Sequence, residues 1–256
     1  MAIEIQRDGG VAVVTMSNPG RKNALTAQMR AALLAAFQSF ADDDAVRAVV
    51  LTGAGDAFCS GADVGAMDRP DTAVLRGRMK TMHAMVRAIH GLDKPVVAAV
   101  RGVAVGLGWS LALACDLVIA SDTAKFAQVF KRVGLAPDGG AVWFLTRQIG
   151  FSRAKELVYS ARTVPAPEAL ALGLVHRVVA DGELMGQAME LALDYAAGPT
   201  FALGMAKRMF AGAVSPTLEQ FLETELLVQP QLRLSHDHQE GSAAFREKRA
   251  PVFIGR

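Results

Sequence analysis

Cysteine is almost missing from this chain: 2 of its 256 residues, Cys59 and Cys115, lie in apolar surroundings with no C-x-x-C spacing and no adjacent histidine. Neither a disulfide framework nor a zinc centre is suggested, and a reducing, cytoplasmic setting is expected. Charge of one sign is not in excess either. The 27 Lys and Arg stand against 25 Asp and Glu, scattered along the chain, so the electrostatic footprint of a nucleic-acid binder is absent. No basic stripe interleaved with aromatics offsets that. Long apolar runs are lacking as well: the most apolar stretch, 95–120, is interrupted by Arg101, Asp116 and several glycines. It falls short of the roughly 18 apolar residues that mark a membrane span. Residues 1–7 carry Glu4 and Arg7 without an apolar h-region, so a secretory signal is not expected. There is no internal repeat, low-complexity tract or heptad run.

What remains is a chain with 52% hydrophobic and 20% charged residues, able to bury a sizeable core as one main globular body. Residues 3–5 and 11–16 read as two strands around an Arg7-Asp8-Gly9-Gly10 turn. Thr26 is placed to cap a helix over 27–40, because Met29, Leu33, Leu34, Phe37 and Phe40 recur at helical spacing. Strands are expected at 48–52, 95–100, 117–120 and 174–179. Helices are expected at 75–89 (stopped by Gly91), 109–114, 153–159, 166–172 and 183–197, with two more beyond 201. Strand, glycine turn, helix, strand is an α/β order with crossovers. The stripe Met79, Met82 and Met85 reads first as core and second as an adaptable acyl pocket.

Three turns carry the chemistry. Phe58-Cys59-Ser60-Gly61-Ala62-Asp63 and Gly102-Val103-Ala104-Val105-Gly106-Leu107-Gly108 follow strand-like runs and can present bare backbone N–H groups to an oxyanion. Gly134-Leu135-Ala136-Pro137-Asp138-Gly139-Gly140 holds a carboxylate in a Pro/Gly turn. A carboxylate beside two sets of amides is the minimum for moving a proton next to a thioester carbonyl. Taken singly, each has a plainer reading: glycines permit tight turns, and Asp at a turn bonds its own backbone.

Together with Arg47–Gly53, Lys94–Gly102, Ala114–Ala120, Ala169–Val175 and a tail containing Glu240-Gly241, Ala244-Phe245 and Lys248-Arg249, these turns resemble the crotonase, or enoyl-CoA hydratase/isomerase, superfamily over essentially the whole chain. The resemblance implies a crotonase-like spiral of ββα units over 1–198 and a C-terminal helical trimerisation region over 199–256, with trimers commonly paired into hexamers. It implies an acyl-CoA thioester as substrate, for which no metal or redox cofactor is needed; the scattered charge and interrupted apolar runs lead us to expect no nucleic-acid or membrane partner. Carried onto this sequence, the oxyanion amides are those of Ala62 and Leu107. Lys22 stands where a basic residue approaches the CoA phosphates, alongside Ala24, Ser60 and Asp63. Phe245 and Lys248 would reach the CoA of a neighbouring subunit. Lys22 also reads as an ordinary solvated charge, and the tail as an ordinary amphipathic helix.

The departures from the family are informative. The two hydratase carboxylate positions hold Ser110 and Phe130, neither of which titrates usefully near neutral pH. Efficient hydration is therefore not expected. Asp138 matches the lone acid that double-bond-shifting members carry in this turn, so an isomerase is expected, with Ser110, Gln128, Phe130 and Trp143 lining an apolar chamber. The run from Phe126 to Lys131 and on to Trp143 is similar to the ring-epoxide isomerases of phenylacetate degradation. Two alternatives stand beside it: an aryl-CoA dehalogenase or hydrolase using Asp138 as nucleophile with His83 upstream, and a catalytically silent CoA-binding protein.

Overall fold

The computed structural model describes residues 1–63 and 71–256. Among them run β1 (Ala2–Asp8), β2 (Val11–Ser17), α1 (Ala27–Ala41), β3 (Ala48–Gly53), α2 (Thr72–His90), β4 (Val96–Val100), β5 (Val103–Val105) and α3 (Leu107–Ala114). β6 (Leu117–Ser121), β7 (Lys125–Ala127), α4 (Ala141–Ser160), β8 (Val164–Pro165), α5 (Ala166–Ala171), β9 (Arg177–Val179) and α6 (Leu184–Ala197) follow. α7 (Thr200–Gly212), α8 (Leu218–Arg233) and α9 (His236–Glu247) close the chain.

One sheet has the order β1-β2-β3-β4-β6-β9 and a smaller one the order β5-β7-β8. β1 and β2 form the expected hairpin; from β2 to β9 every pairing in the large sheet is parallel. Each turn of the chain then repeats one path: a strand in the large sheet, an extended segment in the small layer, and a helix back. β4, β5 and α3 make one such turn; β6, β7 and α4 make the next. β3 begins an equivalent turn, because Cys59 bridges Ala104 in the small layer before α2. This is the spiral of ββα units.

Both faces of the large sheet are covered, which is why its strands read as unbroken apolar runs. Val49 and Leu51 of β3, with Val96, Ala98 and Val100 of β4, belong to the main core with Phe37, Phe40, Met82, Met85 and Trp109. The alternate residues Ala48, Val50, Val97 and Ala99 pack on Leu184, Ala188, Ala192 and Ala196 of α6. Small residues along α6 let that helix lie close to the sheet. Thr26 caps α1 as its position suggests, its hydroxyl accepting the Met29 N–H at 3.1 Å.

Several boundaries differ from the sequence reading. α4 runs through Ala141–Ser160 with a break at Gly150 (φ 77°), so a helix over 153–159 is its second half alone. Its first half has no clean apolar period, and its position is set by the glycine turn before it. β9 is three residues long; Leu174 and Val175 are buried but lie outside it. Three helices, rather than two, follow residue 199, the extra boundary falling in the short 234–235 link that Ser235 caps. Met79 is exposed while Met82 and Met85 are core, so the methionine stripe is divided between solvent and interior. No helix of the described residues is long and apolar enough to cross a membrane.

Arg47, at the foot of β3, binds the C-terminal part to the sheet. Its guanidinium donates to Thr200 Oγ1 (3.0 Å), to the Phe253 carbonyl (2.9 Å) and to the Gly198 carbonyl (2.6 Å). Arg47→Met should cost about 2–3 kcal/mol, because three charge-assisted bonds are lost and two carbonyls are left less well satisfied. Urea denaturation measures the loss, and limited proteolysis should cut the tail earlier; an unchanged midpoint would show that the bridge is not structural.

Candidate active site

The site grows from the way two glycine turns are stitched together. The Cys59 N–H donates to Val103 O at 3.0 Å and the Val105 N–H to Cys59 O at 2.9 Å. A Cβ on Gly108 would stand 2.2 Å from Cys59 O, so this contact exists only because residue 108 has no side chain. Gly106 (φ 53°) turns the chain into α3, with its own N–H on Ala127 O. A Cβ on Gly61 would lie 3.8 Å from the Leu107 nitrogen, which brings the residue before Ala62 against the first residue of α3. Among the described residues neither the Ala62 N–H nor the Leu107 N–H has an acceptor. Leu107 is also the first residue of a helix, where the backbone dipole favours negative charge. Two free donors on facing turns can hold one oxyanion.

The third turn brings the carboxylate to them. Gly139 (φ 62°) lies so close that a Cβ there would meet Leu107 Cδ1 at 2.7 Å and Ser110 Cβ at 2.8 Å. Ser110 is fully buried, and its hydroxyl reaches both Gly106 O (3.1 Å) and Asp138 O (3.0 Å). It therefore ties the carboxylate loop to α3 instead of presenting a group to a substrate. Asp138 Oδ1 is buried without a hydrogen-bond partner. Burial pushes its carboxyl above the ordinary range, while Arg30 and His83 pull the other way. The Phe130 ring packs 3.6 Å from where a Gly106 Cβ would be. Gln128 is buried, and neither end of its amide has a partner. The Cys59 thiol, at the heart of the junction, is pushed up to about 12 by burial and stays a neutral packing group.

The flank of the Ala62 turn is held partly by residues the sequence reading did not single out, Asn18, Arg21 and Asn23, around the expected Lys22. Lys22 (φ 47°) and Asn23 (φ 58°) are left-handed. The fully buried Asn23 donates to Ala54 O (2.8 Å) and Ala57 O (2.7 Å) and accepts from the Asn18 N–H (2.9 Å). Asn18 donates in turn to Ala24 O at 2.8 Å. The available signal was chemical: Asn tolerates this backbone region and bonds nearby main chain, and two of them flank a Pro-Gly pair. Ser60 N–H and Oγ donate to Lys22 O and Arg21 O, and Arg21 pairs with Asp63 at 2.9 Å. Lys22, Ala24, Ser60 and Asp63 are thus gathered around Ala62, with Lys22 exposed and Ala24 buried.

A model described as enoyl-CoA hydratase/isomerase matches residues 6–256. The chain belongs to this enoyl-CoA hydratase/isomerase family. It is 40% identical over 252 residues to a probable enoyl-CoA hydratase of Rhodobacter capsulatus, covering 96% of this chain and 95% of that one. It is 38% identical over 255 residues to the 1,2-epoxyphenylacetyl-CoA isomerase of Escherichia coli, with 96% of each chain covered. The crystal structure of an enoyl-CoA hydratase from Polaromonas sp. JS666 matches with a TM-score of 0.94 at 35% identity, covering 99% of this chain and 100% of that one. The crotonase spiral seen in the topology is thereby the family's fold, while the relatives' names span more than one reaction.

Of the remaining residues expected to line the site or to reach a neighbour's CoA, Trp143, Phe245 and Lys248 are placed as follows. Trp143 belongs to an aromatic cluster: its ring meets His90 and Phe144 edge-to-face, and Arg147 sits 3.8 Å above it. It lines a separate cavity of about 680 Å³ with Lys207 and Tyr195. The helical phase explains this, because in α4 the side that carries Phe144 and Trp143 packs against the end of α2. Phe245, 87% exposed, lines a groove with Phe201 and Phe253 on the C-terminal helices. Lys248 ends α9 in a left-handed cap (φ 55°). His83 lies on α2, exposed, within the electrostatic reach of Asp138.

Proposed function

We propose that this chain is an acyl-CoA isomerase that shifts a double bond, in a 3-enoyl thioester or a ring-derived acyl-CoA, by proton transfer through Asp138. One observation carries the reading: Asp138 is a poorly solvated carboxylate beside two acceptor-free amides, while the paired-acid positions of a hydratase hold a committed hydroxyl, Ser110, and a phenyl ring, Phe130. Asp138 removes a proton from the carbon between carbonyl and alkene, breaking that C–H bond. The electrons move onto the thioester oxygen, which the Ala62 and Leu107 N–H groups stabilise as a dienolate. The same proton is then returned two carbons further on, so one group serves as base and then acid. Atoms and charge balance without a cofactor; coenzyme A enters and leaves as part of the substrate. Lys22, exposed at the turn, is suited to its phosphates. The apolar ring of Phe130, and the relative that acts on 1,2-epoxyphenylacetyl-CoA, favour a flat acyl group.

Exposed Leu218, Leu222, Leu226 and Leu227 along α8 support a homotrimer or homohexamer built on the C-terminal helices, from which Phe245 and Lys248 would reach a neighbour's ligand.

The test is turnover of 3-enoyl-CoA and 2-enoyl-CoA, with isomerisation and hydration followed separately by chromatography; dominant hydration would sink the reading. The pH profile gives a second check. The base must begin ionised, so kcat/KM should fall as pH drops through the Asp138 pKa. Burial sets that limb above the ordinary carboxylate value of about 3.9. A profile flat down to that value would exclude Asp138 as the base. A second reading is favoured by His83 alone, whose charge acts on Asp138 and which could serve as a water-activating base beside a nucleophile. Release of halide from a 4-halobenzoyl-CoA, with the ring carbon that lost it trapped as an aryl ester on Asp138 and the thioester intact, would establish it in place of isomerisation.

A further inference from the structure

Leu25 is the hinge between α1 and the Ala62 turn. Its N–H donates to Gly61 O at 2.8 Å, and its carbonyl accepts the Asp63 N–H at 3.1 Å, so the two bonds bracket Ala62. The same carbonyl accepts Nη1 of Arg30 at 2.9 Å, reaching back from the first turns of α1. That guanidinium is half-buried and lies in the field of three charged groups: Arg78 of α2, Asp138, and Asp63 of the amide turn; His83 of α2 acts on Asp138 as well. Arg30 is thus bonded to the carbonyl that holds the amide turn and lies in the field of the carboxylate.

We infer that Arg30 is the positioning residue of this site: it clamps the Leu25 carbonyl whose two backbone bonds bracket Ala62, and so holds a fixed cation in the field of Asp138. The inference rests on the isomerase reading for its catalytic meaning, but its physical content does not. A carboxylate with a buried, unpartnered oxygen tends toward the neutral acid. A fixed cation across the site opposes this without a direct hydrogen bond, which would quench the base. Arginine suits the task because it stays charged when partly desolvated and has spare N–H groups for the carbonyl.

The experiment compares wild type, Arg30→Gln and Arg30→Lys by two readouts. The first is the titration of the Asp138 carboxyl carbon by NMR, with Asp138→Asn identifying its resonance; it needs no substrate. The second is the pH dependence of kcat and kcat/KM. In Arg30→Gln, Asp138 should titrate at higher pH, and the acidic limb of kcat/KM should move with it. At neutral pH kcat should fall about ten- to a hundredfold, the size expected for a lost charge-assisted interaction, with KM changed less. Arg30→Lys should return the titration toward wild type while recovering only part of kcat, since the shorter ammonium loses the clamp. An Asp138 titration unchanged in Arg30→Gln would overturn the inference, as would a uniform, pH-independent loss equal in both variants. If Arg30→Gln does not fold, the lysine variant decides by the same comparison. If wild type isomerises nothing, the titration still judges Arg30, and the isomerase reading falls separately.

Discussion

Asp138→Asn should abolish isomerisation, lowering kcat by about a thousandfold, while leaving the protein as stable as wild type or more so. The rate loss follows from removing the group that both takes and returns the proton, an effect typically worth 10²–10⁴. The stability result follows from burial. Oδ1 is enclosed without a partner, and burial disfavours its charged form, so a neutral amide of the same shape relieves a desolvation cost. The loop itself should hold, because the Ser110 hydroxyl binds the backbone carbonyl of residue 138, not its side chain. Chromatographic assays and thermal unfolding on the same preparation separate the two effects. Isomerisation that survives the substitution would transfer the chemistry to another group, and a cooperative loss of fold would mean the carboxylate is structural. An inactive but more stable variant is the signature of a strained functional site.

Gly108→Ala should be heavily damaging although it adds only one methyl group. Its Cβ would stand 2.2 Å from Cys59 O and 2.8 Å from Cys59 C. Those are backbone atoms, so no rotamer change relieves the overlap. The Cys59–Val103 and Cys59–Val105 bonds must stretch, and the turns carrying Ala62 and Leu107 must separate. We expect about 2–3 kcal/mol of lost stability and at least a hundredfold lower kcat, the cost of an oxyanion donor out of place. Gly186→Ala is the control: it lies in α6 with nothing within 4 Å of the new methyl, and should be neutral or slightly stabilising. Equal damage from both would mean the argument from close approach is wrong; kcat unchanged in a destabilised Gly108→Ala protein would mean that these amides do not hold the oxyanion.

Much of the fold could be read in the chain. The runs at 48–52 and 95–100 are apolar on both faces because α6 covers the side that the main core does not, and period and caps located α1, α2, α3 and α6 within a few residues. The first half of α4 could not be read, because its residues divide between Asp138's loop, the His90 cluster and solvent, leaving no single apolar face. Trp143 misled for the same reason: sequence proximity to Asp138 does not tell which side of a helix an aromatic occupies. Asn18, Asn23 and Arg30 were passed over because isolated polar residues in loops and first turns resemble ordinary surface. What distinguishes them is the set of carbonyls they reach.

By itself the sequence determined the chemical types: one acid in a Pro/Gly turn, glycines where backbones must touch, and a hydroxyl and a phenyl ring where paired acids would stand. Those are covalent facts, legible without coordinates. The tertiary structure decided which of those groups meet: that Gly61, next to Ala62, lies against the Leu107 nitrogen, that the Ser110 hydroxyl is spent on the Asp138 loop, and that Trp143 packs with His90. The physical reason is that these contacts join segments tens of residues apart. Their geometry is set by sheet register and by backbone packing at glycines, neither of which leaves a local pattern in the chain.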